Sequence, residues 1–272
     1  MGYDISFHPI SETQIQRWYF DALEDRSIVK SLAKKHKIDT DDNFYEEKYL
    51  GMIDIGLKQT TEKSFDDSHG YYIANVQGIF QEFFYIRGAA FSFIENAKMD
   101  FYYKKWEEFI PEKYKIFEIH NKIQSNYYSG KFIPYDKVCK LLDDYQNNKE
   151  IKDILDTQFS HNRIKVLLKA LNFAKELKVG LLESDGVMEP NPLDLNESTC
   201  YSNLFNCDIE GPLLFVEATK EFVEAVQEAQ VEKQQNLAKN EISDNADYKK
   251  TTVKNPQKKK SKKGFFRRFF GK

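Results

Sequence analysis

The run from Tyr71 to Ala97 restricts what this chain can fold into more than any other stretch. Tyr72, Val76, Ile79, Phe83, Ile86, Ala90, Phe93 and Ala97 follow alternating steps of four and three residues, the spacing of one helical face. Ile73, Phe80, Phe84, Phe91 and Ile94 form a second apolar row. A helix that is apolar on more than one side must be covered by neighbours, so the spacing predicts a long central helix buried in the core. Asn75, Gln77, Gln81, Glu82, Arg87 and Glu95 interrupt the run too often for it to span a membrane.

The rest of the pattern agrees with a mainly α fold, with an α-rich α+β fold as the alternative. The 12 Gly and 7 Pro are too few for a turn-rich all-β protein. A short N-terminal strand is expected, because Tyr3, Ile5 and Phe7 alternate with Asp4, Ser6 and His8. The same first residues, Met1-Gly2-Tyr3-Asp4-Ile5-Ser6, match the myristoylation pattern, but a strand explains them more simply. Ser11 to Gln14 is a capping box that opens a helix to about Glu24, and a second helix covers 28–37. Residues 44–57 fit either helix or strand. Further helices are expected near 98–109, 112–127, 135–145, 148–159, 161–179 and 212–235. In the helix at 161–179, Ser160 would cap the start and Gly180 would end it.

Residues 183–211 lack a regular period but are dense in Asn, Asp, Ser and Pro, with Leu, Tyr and Phe among them. They read as a packed loop built on Asx turns. The domain reading is a helical body over 1–239, a polar linker over 240–257 and a disordered, basic-aromatic tail over 258–272.

Common catalytic signatures are missing: there is no GxSxG elbow, HExxH helix, GxGxxG turn or P-loop. No His stands three or four residues from another. His69 lies in Asp66-Asp67-Ser68-His69-Gly70, which fits a helix cap better than an acid–base group. Asp194, Asn196, Glu197, Asp208 and Glu210 offer oxygen donors without an EF-hand spacing. No metal or cofactor is expected. Cys139, Cys200 and Cys207 form neither a disulfide framework nor a zinc spacing, which favours a reducing, cytoplasmic setting.

Charge divides the chain. Of its 40 Lys and Arg, 11 fall within Lys249–Lys272, where no acid occurs. The preceding residues therefore hold 29 basic against 43 acidic groups, a net of −14. Lys258, Lys259, Lys260, Lys262 and Lys263 lead into Phe265, Phe266, Arg267, Arg268, Phe269 and Phe270. On a helix the four Phe would form one arc with both Arg outside it. Such a segment suits an anionic membrane surface, with a groove on a protein partner as the second choice, a mere solubility tail or a contact with the acidic body of the same chain as the third, and nucleic acid disfavoured.

These features point to a non-catalytic interaction protein. Its acidic body would bind, and in an immunity-type role neutralise, a basic protein partner, while the tail docks at the inner face of a membrane or in a partner groove. The alternative is a hydrolase-like enzyme with its site at the 183–211 loop and the N-terminal segment. Its candidate residues are Asp4, His8, His69, Asp194 and Asp208. Convergence of these side chains in one concave pocket would favour the enzyme.

Overall fold

A computed structural model describes residues 2–38, 43–62, 66–115 and 119–251. The fold is mainly helical and contains a sheet: α-rich α+β. The chain divides into two units, Met1–Thr219 and Lys220–Lys272. Among the described residues, no helix is long and apolar enough to cross a membrane.

The first unit is built on a five-stranded sheet. Strand β1 (Asp4–Ile10) lies at its centre, between β2 (Phe83–Arg87) and β4 (Gly180–Asp185), and is antiparallel to both. β3 (Ser129–Ile133) pairs antiparallel with β4, and the short β7 (Cys207–Asp208) lies parallel to β2 at the other edge. The spatial order is β3-β4-β1-β2-β7.

Helices cover both faces and produce two cores. Ile5 and Phe7 of β1, with Phe84, Ile86 and Leu181, join α6 (Tyr135–Asn147), α7 (Lys149–Gln158) and α8 (Arg163–Leu177). Ile10, Phe83, Phe132 and Leu182 join the helices that precede β2. Those are α1 (Glu12–Ile15), α2 (Asp21–Glu24), α3 (Ser27–His36), α4 (Phe44–Glu62) and α5 (Asp67–Phe80). Alternation along each strand thus feeds two cores. The polar side of β1 does not face water: Ser6 and His8 are fully buried.

The N-terminal strand and the Ser11 capping box are present as expected. Between α1 and α2, Gln16–Phe20 forms a π-helical turn, and the consecutive rings of Trp18, Tyr19 and Phe20 are all buried there. The ambiguous segment 44–57 is helical, within α4.

The central helix is buried but shorter than its spacing predicts. α5 ends at Phe80, Gln81 turns to an extended conformation, and Phe83–Arg87 continues as β2. The run Phe83, Phe84, Tyr85 and Ile86 is buried on both sides, so a helical period and a two-sided strand look the same in sequence. Residues 91–93 form a 3-10 turn. The expected helices at 98–109 and 112–127 are also replaced, by 3-10 segments at Ala97–Tyr102, Trp106–Glu108 and Glu112–Tyr114. Here aromatic packing outweighs helical spacing: Trp106 stacks on Phe109, which packs against Phe132 of β3.

The ends of α8 also differ from expectation. His161 and Asn162 both take positive φ, so Asn162 precedes the helix and the Ser160 hydroxyl accepts from Arg163 instead. Lys178, in the left-handed conformation, caps its end. Gly180 belongs to β4, where a Cβ would lie 2.6 Å from the Ile133 carbonyl oxygen.

The last helix, α9, spans Glu210–Thr251, so helix runs through much of the stretch read as a linker. Leu214 packs on the core of the first unit, and the Arg87 guanidinium lies 5.1 Å from the Phe215 ring centroid. In the second unit Phe222, Val223, Val226 and Val231 are exposed.

Candidate functional site

Three hydrogen-bonding side chains line up beneath α5. His8 Nδ1 is 2.7 Å from Gln77 Oε1, and His8 Nε2 is 2.8 Å from Ser6 Oγ. Gln77 Nε2 donates to the carbonyls of Pro9 and Glu82, which turns its Oε1 toward the ring. Burial lowers the His8 pKa to about 3, so the ring is neutral, donates from Nδ1 and accepts at Nε2. Hydroxyl, imidazole and amide follow the order of an acyl-transfer relay. Ser6, His8 and Gln77 are all fully buried, however, and His8 stacks 5.1 Å from Phe83. The arrangement satisfies polar groups inside a core, as buried polar groups require.

A second cluster surrounds the start of α5. Asp66 is the N-cap, accepting from the Ser68 amide, as the sequence suggested for this segment. The Tyr19 hydroxyl is 2.7 Å from His69 Nδ1; burial lowers the His69 pKa to about 4 and raises that of Tyr19 well above 10, so Tyr19 donates. Burial also pushes the Asp67 carboxyl up to about 7, and its Oδ1 has no hydrogen-bond partner among the described residues.

The remaining candidates of the enzyme reading are held elsewhere. Asp4 accepts from the Tyr85 hydroxyl at 2.7 Å and pairs with Arg87. Asp194 caps a 3-10 turn at Leu195–Glu197 and is exposed. Asp208 pairs with Lys169 at 2.5 Å. Asp4, His8, His69, Asp194 and Asp208 thus bind five different sets of partners, with no contact between any two of them among those bonds.

Residues 183–211 carry more regular structure than expected. β4 runs to Asp185, and β5 (Met188–Glu189) pairs with β6 (Thr199–Cys200) in a small hairpin. Asx turns recur as predicted: Asn191, Asp194, Asn203 and Asp208 each accept from the amide two residues on. Asn206 donates to the Gly78 and Ile79 carbonyls at the end of α5, groups the helix cannot satisfy itself. Lys48 donates to the Cys200 and Ser202 carbonyls. The segment locks α4 and α5 in place. Burial raises the pKa of both the Cys200 and Cys207 thiols, which makes them poor nucleophiles. Among the described residues, no group of three or more His, Cys, Asp or Glu could hold a metal ion.

An open groove lies elsewhere in the first unit, between the 91–96 turn and α7, with a volume of about 620 Å³. Phe93, Ile94 and Ile154 line it together with Glu95, Glu150 and Asp153. Helical spacing hides it in the sequence, because on one long helix Phe93 and Ile94 fall on interior rows. The basic-aromatic residues Lys258, Lys259, Lys260, Lys262, Lys263, Phe265, Phe266, Arg267, Arg268, Phe269 and Phe270 lie outside the described residues. Comparison of the chain with protein-family models, curated proteins and solved structures finds no match in any of the three.

Proposed function

We propose that this chain is a non-catalytic interaction protein whose acidic body binds a basic protein partner, with neutralisation of that partner as its concrete form. The charge division carries the reading: a net of −14 before Lys249, followed by 11 basic residues and no acid. An acidic surface speeds encounter with a positive partner and repels nucleic acid. The hydrolase reading has less support, since its five candidate residues are dispersed among separate partners.

The basic-aromatic tail docks the protein on an anionic membrane surface at the cytoplasmic side. Each Lys or Arg near such a surface contributes about 1 kcal/mol. Each buried Phe adds up to about 3 kcal/mol. A peptide of residues 241–272 should bind vesicles containing anionic lipid and leave neutral vesicles largely free. Capture of one protein through the Phe residues, without vesicle binding, would replace the membrane with a partner groove.

The body is tested by capture from cell extract with the whole chain and with residues 1–248, followed by association rates at low and high salt. A basic partner retained by 1–248, with a rate that falls as salt rises, is the expected result. A rate indifferent to salt would count against the reading.

A further inference from the structure

We infer that the exposed apolar stripe of α9 is the resting seat of the basic-aromatic segment Lys258–Phe270 of the same chain. Docking on the stripe and docking on an anionic surface use the same four Phe, so the seat withholds the tail from the membrane. That consequence rests on the membrane reading above; the seat itself does not.

The stripe is one face of the helix. At about 100° per residue, Phe215, Phe222, Val226 and Ala229 fall within about 60° of one another. Its first member is covered, with the Phe215 ring centroid 6.4 Å from that of Tyr85. Beyond Thr219 the cover ends: Phe222 is 68% exposed, and Val223 and Val226 are exposed beside it. Glu221, Glu224, Glu228 and Glu232 fall within about 80° of one another along a neighbouring face. None of the four makes an ion pair among the described residues.

The tail matches this face in charge, in apolar surface and in reach. Residues 220–248 hold seven acids against three Lys, whereas 249–272 hold 11 basic residues and no acid. An apolar stripe beside a row of carboxylates suits four Phe set among Lys and Arg. From Thr251 back to Val226 is about 37 Å of helix at about 1.5 Å per residue. The chain from Thr251 to Phe265 spans about 46 Å when extended. The Phe therefore reach the stripe while Lys258–Lys263 pass Glu228 and Glu232. A second copy of α9 would instead bring another row of Glu against the first, and an anionic surface would be repelled by it. Tethering makes the encounter intramolecular, which favours the chain's own tail over a free competitor.

The test is zero-length carbodiimide cross-linking of the whole chain, which joins a Lys only to a Glu or Asp it touches, with the joined residues read by mass spectrometry. Isotope-labelled and unlabelled chains are mixed, so that links within a chain are told from links between chains. Phe222→Ser with Val226→Ser strips the seat at exposed positions, and a second variant changes Phe265, Phe266, Phe269 and Phe270 to Ser. Leu193→Ser with Phe205→Ser removes exposed apolar side chains elsewhere. Thermal melts of all variants check folding.

Lys258–Lys263 should link to Glu224, Glu228 and Glu232 within one chain. Either set of Ser changes should cut that yield by about fivefold or more, while the distant pair changes it little. Links gathered instead on Glu241, Asp244 and Asp247, nearest the tether, would overturn the seat. Yields indifferent to both sets of Ser changes, or links formed mainly between chains, would overturn it too. Vesicle binding by the peptide of residues 241–272 reports separately on the membrane reading.

Discussion

Asp67 is a carboxyl in the wrong solvent. It is almost fully buried, its Oδ1 has no partner among the described residues, and burial raises its pKa from 3.8 to about 7. A group whose pKa is raised on folding stabilises the fold at low pH, and that contribution is lost as pH rises toward the folded pKa. Asp67→Asn removes the titration, so its stability advantage over the parent should grow by about 2–3 kcal/mol between pH 5 and pH 8. Urea midpoints at several pH values measure this; parallel curves would show that Asp67 stays ionised in the fold. His8 has the opposite sign. Its pKa falls to about 3, so the neutral ring stabilises the fold above pH 6.5, and the benefit is lost progressively as pH drops. Both proteins retain His8, so its contribution cancels in the comparison.

At the scale of elements, α5 and β3 approach each other more closely than a side chain would allow. A Cβ on Gly70 would lie 1.9 Å from Ser129 Oγ and 2.4 Å from its Cβ. Gly70→Ala should destabilise the protein by about 1–3 kcal/mol, despite the better helix propensity of Ala. Ser129→Gly removes the two nearest obstructing atoms and leaves Trp106 Cζ2 at 2.9 Å, so the alanine should cost less in that background, with a coupling of about 1 kcal/mol or more. Thermal or urea denaturation of the single and double variants measures the coupling. Strict additivity would mean that the two elements part more easily than their packing implies.

At the scale of the molecule, the first unit should stand alone. Its two cores draw only on residues before Thr219, and the apolar side chains Phe222, Val223 and Val226 beyond it are exposed. A chain ending at Thr219 should keep the near-ultraviolet signal and a cooperative melt within a few degrees of the whole protein. A broad, non-cooperative melt would mean that the second unit is needed for the first to fold.

Local chemistry was legible in the sequence. The Ser11 box, the Asp66 cap, the Asx turns of 191–208, the amphipathic helices α6 and α7 and the N-terminal strand each depend on residues a few positions apart. The charge division is likewise a property of the chain and not of its folding. What only the tertiary structure decided were the features that need a distant partner. Phe83–Ile86 is a strand because β1 and β7 pair with it, and its period alone fits a helix as well. Ser6 and His8 read as a solvent face until α5 covers them and Gln77 supplies the bond that water would have made. The groove exists because Gln158 holds α7 against the chain 68 residues earlier, at Ala90. Side chains separated that far meet only through the fold, because burial on the two faces of a sheet depends on which helices arrive to cover them.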